Sequence, residues 1–466
     1  MKLKEILKFC GALLLAVVLV ACSSDDDECS IAFDRDAVFM SYGETVTVHF
    51  TSDAQAFTFT TMPKGWEDPL ISTQERTITI KAPAAAGDGV AVSGNIVLRG
   101  QRGDEYKSAS LFVSLDTPEV DWTNEPANCY IANKPGANYR FNASLKGDGQ
   151  TRIPTKRVAV LWQTSMSLVR YLALEEDGSA SFFLDASSSD ETQIKQGNAV
   201  IGAFDEQDNL LWSWHIWIAN FDPEADAIDC GDYLVMDRHL GALQNGHSDQ
   251  AEILASYGLY YQWGRKDPFV GPANWNASKG TSFTIFDGDS NTVHLTLAES
   301  NGETGTYAYT NANPTHFITT TNKDAAWQSG NVPSVWEGVN SPAPYGWEVA
   351  PAEAFEGFEI VEDLSVDGAT YENNYGWTLR KGESEGFFFA AGRRLYVDAM
   401  LQNVFDESLT RNPAYEAQPW VGYNWTSDGR VFAFWLDKAQ PTNSGLRNDL
   451  KMGGANAMSV RCIKRK

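Results

Sequence analysis

Four kinds of residue in this 466-residue chain could carry chemistry: cysteines, histidines, paired carboxylates and tryptophans. Cys22 follows Leu19-Val20-Ala21 at the end of an apolar run from Phe9 to Val20, itself preceded by Lys2, Lys4 and Lys8. The small residue before the cut suits a signal peptidase, and the freed thiol can take a diacylglycerol thioether. The run is too short to cross a membrane, which takes ~20 apolar residues. Residues 1–21 are therefore expected to be a signal peptide, with Cys22 as the site of lipid attachment. Cys10 leaves with the signal, so Cys29, Cys129, Cys230 and Cys462 remain, open to several pairings. No CxxC spacing marks a zinc knuckle or a redox pair.

The other chemistry-bearing residues form no reactive constellation. HExxH, GxSxG, P-loop and GxGxxG patterns are all missing. His49, His215, His239, His247, His294 and His316 are scattered without metal-ligand spacing. Carboxylates are too numerous for any one pair to indicate glycoside hydrolysis. Asp287-Gly-Asp-Ser-Asn291 begins like a calcium loop, but Thr292 stands where the loop glycine belongs and Ala298 where the bidentate Glu belongs. An acidic turn is the better reading, and no catalytic residue, metal or cofactor is expected. Exposed Trp stacks on sugar faces and anchors interfaces. Trp336 and Trp420, in Pro-rich, Gly-containing surroundings, are the candidate ligand contacts.

Elements must position these rings. Residues 22–28, with Asp25-Asp26-Asp27-Glu28, are an acidic tether. In residues 29–117, Val46, Val48 and Phe50 alternate with Thr45, Thr47 and His49, the period of a half-buried strand. Further strands are expected at Thr77–Lys81, Asn95–Arg99 and Ser110–Leu115, the spacing of an Ig-like sandwich. Residues 118–222 suggest a second sandwich, with strands at Val158–Trp162, Ala180–Leu184, Ala199–Phe204 and Leu210–Ala219. In the last of these, Trp212, Trp214 and Ile216 share a core-facing side, and His215 is expected to be structural. Residues 223–466 form a larger α+β module with long aromatic loops and a short helix near Ala352–Ile360, begun by Pro351.

Charge closes off one class of partner. The chain has 36 Lys+Arg against 61 Asp+Glu, a net −25, and loss of three Lys and one Glu with residues 1–21 takes it to −27. Nucleic acid, which needs a basic surface, is excluded.

Some segments also resemble known families. The start, ending in Cys22 and followed by the acidic run, is similar to the lipobox and export signal of Bacteroidota surface lipoproteins. Residues 29–117 loosely resemble BACON-like or Ig-like modules, through Pro63-Lys64-Gly65-Trp66 and the strand spacing. The C-terminal module resembles the Fibrobacter-succinogenes-major-paralogous (FISUMP) family. The matching segments, in order, are Tyr233–Gly241, Gly258–Phe269, Asn313–Phe317, Val335-Trp336, Tyr345–Pro351, Asn424–Ser427 and Ser459–Lys464. Two departures are Ala343-Pro344, where the family has Cys before Pro, and His239 for the common Asn. The resemblance implies a C-type-lectin-like fold whose first and last strands pair, with Cys230 and Cys462 as a candidate disulfide. The acidic residue of a lectin-type calcium site is missing after Gln418-Pro419, where Trp420 stands.

The resulting expectation is a multidomain, mostly β protein: two Ig-like β-sandwiches followed by an α+β C-type-lectin-like domain. It would be held in the outer membrane by its N-terminal lipid, exposed at the cell surface, with a periplasmic-facing position as the alternative. Its function would be non-enzymatic, binding a glycan or a surface protein in the manner of an adhesin. A fimbrial accessory or structural subunit is the first alternative, and an enzyme on a lectin-like scaffold the second.

Overall fold

A computed structural model describes residues 29–273, 282–361, 376–402, 420–436 and 445–466. Cys22, the signal and the tether lie outside the described residues. The protein is mostly β, with several sheets and few helices. It divides into two compact units, Met1–Thr117 and Pro118–Lys466.

The first unit is a sandwich of two four-stranded sheets. One runs in the order Ile31–Phe33, Thr45–Ser52, Thr77–Lys81, Leu70–Ser72; the other Ala37–Met40, Glu105–Leu115, Ser93–Arg102, Ala56–Thr61. The alternation around Val48 works as expected: Val48 and Phe50 are buried, while Thr47 and His49 are exposed. They join Ile78 and Ile80 of their own sheet to Ile96, Leu98, Leu111 and Val113 of the facing sheet. Full burial of one such side chain is worth ~1.5–3 kcal/mol, so this shared core is what closes the sandwich.

The second unit begins with another pair of sheets. Four strands run in the order Arg170–Leu174, Ser179–Leu184, Ala137–Asn142, Glu119–Trp122. The facing sheet runs Cys129–Ala132, Leu210–Ile218, Gly197–Phe204, Arg157–Gln163, and then continues into Ile285–Phe286 and Thr292–Val293. Trp212, Trp214 and Ile216 point into the core between the two sheets, as their spacing predicts. The other side of the same strand is buried as well. Trp217, with Trp162 and Val200, packs against Met236, Leu240, Trp263, Val460 and Cys462 from much later in the chain. A boundary at residue 222 therefore falls inside one core and one sheet.

The remainder of the unit wraps around that outer face. Tyr233–Val235 pairs antiparallel with the closing strand Cys462–Arg465, which also pairs with Glu348–Val349. A larger sheet is centred on Ala457–Val460 and Trp420–Trp425, continuing through Val431–Leu436 to Gly445–Leu450. The helix expected near Ala352–Ile360 is shorter, a 3-10 turn over Ala352–Phe355. Glu356 returns to extended backbone, and Phe355 and Phe358 bury in a common core. Asp287–Asn291 is a turn between two short strands, closed by Asp287 Oδ1 accepting from the backbone N–H of Asp289 and Asn291.

Candidate functional site

The second unit carries a cleft of about 310 Å³ where the sandwich meets the wrapped C-terminal part. The sandwich supplies its floor through Asn128 and Gly147. The Asn128 amide donates to the carbonyls of Val339 and Ser341, both at 2.8 Å, and its Oδ1 accepts from Trp212 Nε1 at 2.9 Å. With its donors and acceptor taken, Asn128 fixes the loop 335–345 onto the sandwich. Gly147 is required by space: a Cβ there would sit 2.3 Å from Asn128 Oδ1.

The walls come from the segments 335–349, Ser427 and Arg465. Trp347 N–H donates to the Pro344 carbonyl at 3.0 Å, closing a turn in which Gly346 has φ +77°. That conformation belongs to glycine at the third position of a type II turn. The turn throws Tyr345 outward, where it is 52% exposed, and leaves Trp347 half-buried on the cleft wall. Glu337 is exposed at the rim. Glu348 lies 2.6 Å from Arg465, which also approaches Glu353 at 3.6 Å. The carboxylate of Glu348 pushes the Arg465 guanidinium further up, so this cation is permanent but already compensated.

A second, buried constellation lies behind the cleft. Cys129 Sγ is 3.3 Å from His215 Nδ1, and His215 Nε2 is 2.9 Å from Asn198 Oδ1. The Asn198 amide donates to the Gly241 carbonyl, which orients its oxygen toward the imidazole. Nε2 must therefore carry the proton, leaving Nδ1 to accept from the thiol. Thiol–imidazole–amide is also the connectivity of a cysteine nucleophile. Here burial reverses its electrostatics: desolvation pushes the Cys129 thiol up and holds the imidazole down at about 3. The pair stays neutral and sealed, a structural hydrogen-bond chain tying the sandwich to the segment around Gly241. His239 behaves similarly: it is buried, donates from Nδ1 to the Tyr257 carbonyl, and is held at about 3 mainly by desolvation.

The residues singled out in the sequence fare differently. Trp336 lines the cleft but is only 2% exposed. Its ring packs against Tyr261 and Trp263, and its Nε1 donates to the Asn340 carbonyl. It is a wall support rather than an exposed stacking ring, because the loop is pinned inward by Asn128. Trp420 opens the strand Trp420–Trp425, and its side chain lies outside the described residues. Cys230 and Cys462 are both buried free thiols. Alternate residues of Cys462–Arg465 face opposite sides: Ile463 shares a core with Cys230, while Cys462 shares one with Cys129. The expected Cys230–Cys462 bridge is thus replaced by two separately buried thiols. Tyr345, Glu337, Asn128 and Arg465 were not singled out, because the cleft joins segments some 200 to 340 positions apart. The exposed Tyr345-Gly-Trp turn was the one local signal.

The class these features define is a β-rich protein of several sheets with a surface cleft in its second unit. No protein-family model matches the chain, and no curated protein matches it. Solved structures align in part. An endo-fucoidan hydrolase of glycoside hydrolase family 107 matches at TM-score 0.17 and 15% identity, over 41% of this chain and 34% of that one. Titin Ig tandem domains match at TM-score 0.15 and 9% identity, over 41% and 97%. The EC1-2 segment of human protocadherin-24 matches at TM-score 0.15 and 8% identity, over 42% of this chain and 100% of that segment. The chain spans about a third of the hydrolase's length, and likeness at this level carries no argument about activity.

Proposed function

We propose that this is a lipid-anchored cell-surface protein with a non-enzymatic, adhesion-type role, binding a glycan or protein ligand through the cleft of its second unit. The N-terminal unit is read as an Ig-like module and the C-terminal part as FISUMP-like. The observation that carries the binding role is the rim itself, where Tyr345 is held out by a glycine-dependent turn beside Trp347 and Glu337. A rigid aromatic ring kept in water suits a ligand that has one apolar face and many hydroxyls. The non-enzymatic reading is supported by the neutral, sealed state of the Cys129–His215–Asn198 chain. Anchoring is supported by Lys2, Lys4, Lys8, the apolar run and Cys22, and among the described residues no helix is long and apolar enough to cross a membrane.

Two experiments test this. The full chain, screened against glycans and glycoproteins, should bind a ligand, and Tyr345→Ala should weaken that binding about tenfold, the loss of one aromatic contact. Binding unchanged in Tyr345→Ala would move the site elsewhere. Cys22→Ser should shift the protein from the membrane to the soluble fraction; unchanged fractionation would remove the lipid anchor.

A further inference from the structure

The charge arrangement of the cleft goes further than its shape. Resting on the binding role just proposed, we infer that its ligand is an uncharged, hydroxyl-rich sugar, and that acidic glycans are turned away. Three charged side chains line the cleft: Glu337, Glu348 and Arg465. The one cation among them is occupied. Glu348 holds Arg465 at 2.6 Å, Glu353 approaches it at 3.6 Å, and its Nη1 meets the Tyr233 hydroxyl at 3.2 Å. These partners hold its Nε and Nη1 edges, so a sulfated or uronate ligand would share an already compensated guanidinium and sit beside the carboxylates of Glu337 and Glu348. The chain's net −25 adds to that repulsion.

An uncharged sugar meets the opposite situation. Hydroxyls donate well to carboxylates, and Glu337 stands exposed at the rim. Tyr345, which is exposed, and Trp347, which is half-buried, line the cleft and supply aromatic surface for the apolar side of a pyranose, and Ser427 lies on the wall. The volume of about 310 Å³ is at the low end for small-ligand sites, roughly 300–1,000 Å³. A unit or two at the end of a chain fits better than a long stretch of polymer.

Salt separates the possibilities. Full-chain protein is titrated with neutral, sulfated and uronate oligosaccharides and with a basic peptide, at low and high ionic strength. A neutral oligosaccharide should bind with an affinity that changes less than about twofold between ~50 and ~500 mM salt, since no ion pair is screened. Glu337→Gln should weaken it, and Tyr345→Ala should weaken it more. Glu348→Gln, which leaves Arg465 with Glu353 alone, should raise the affinity for acidic oligosaccharides relative to neutral ones. Preference of the unaltered protein for the acidic sugars overturns the inference while leaving a sugar-binding cleft in place. Salt-sensitive binding of the basic peptide alone overturns it in favour of a protein ligand. Absence of any Tyr345-dependent binding removes both the inference and the role of the cleft.

Discussion

Acidification should destabilise the second unit well before its carboxylates protonate. His215 and His239 are buried and held at about 3 by desolvation, whereas a free imidazole titrates near 6.5. Between those values the unfolded chain binds protons that the folded chain refuses. Stability is therefore complete above pH ~6.5 and falls as the pH drops toward 3. At pH 5 each histidine costs about 2 kcal/mol, or about 4 kcal/mol together, a large share of the 5–15 kcal/mol typical of a folded domain. His316, partly buried and also shifted down, adds in the same direction. His215 meets a neutral thiol and an amide, while at His239 desolvation and the neighbouring Arg461 outweigh the Tyr257 carbonyl and the Asn424 side chain, which favour the charged ring.

Urea unfolding followed by tryptophan fluorescence measures this directly. All tryptophans except Trp66 lie beyond residue 117, so the signal reports on the second unit. The free energy of unfolding should fall by about 4 kcal/mol between pH 7.5 and pH 5, the sum of the two buried imidazoles. Carboxylates such as Asp121 and Asp177, which hydrogen bonds to Thr123 and Ser179 hold below the usual value, lose their contribution only at lower pH. His239→Gln should cut the pH-dependent loss by about half, whatever it does to stability at pH 7.5. A free energy independent of pH over this range, or an undiminished loss in His239→Gln, would refute the reasoning.

The other predictions concern the packing that holds the cleft. Cys29, Cys129, Cys230 and Cys462 should resist alkylation in the native chain and all react once unfolded without reductant; mass loss upon reduction-sensitive bridging would contradict the free thiols. Gly147→Ala should destabilise the second unit by about 1–3 kcal/mol, because its new Cβ displaces Asn128 from Trp212 and the 335–345 loop. Unfolding curves measure that cost, and ligand affinity should fall with it. A fragment starting at residue 223 should aggregate or fail to unfold cooperatively, since it lacks Trp162, Val200 and Trp217 from its main core; a monomeric, cooperatively folding fragment would contradict the shared core.

Much of the fold was legible where one periodicity decided one face. Val46-Val48-Phe50 alternates with polar residues, and the strand Thr45–Ser52 follows. Thr77–Lys81 is found with the bounds its composition suggests. Trp212, Trp214 and Ile216 mark a core face because larger rings seldom line up in water. The boundary at residue 222 misled for a physical reason. Leu210–Ile218 is buried on both faces, with Ser213, His215 and Trp217 on the side away from Trp212 and Trp214, and a strand buried on both sides needs a second layer. Trp217 was that signal, and the segment that covers it lies beyond residue 222. Trp336 misled in the opposite way. Proline and glycine around it mark a loop, but a loop hydrogen-bonded inward can carry a buried ring.

The shared core also changes what the sandwich at residues 118–222 does. A spacer would present a finished surface to its neighbour and contribute nothing to a site. This one leaves Trp162, Val200 and Trp217 on the outer side of its central sheet, so the C-terminal part must fold against them. It also extends Asn128 across the seam to hold the very loop that carries Trp336 and leads into Tyr345. The cleft is consequently a product of docking: its floor and its rim come from segments that neither half could position alone. Mutations deep in the sandwich, such as at Trp212 behind Asn128, should therefore weaken binding as well as stability, because the same side chain packs the core and holds Asn128. The aromatic rim supplies contact, and the buried seam beneath it supplies the geometry.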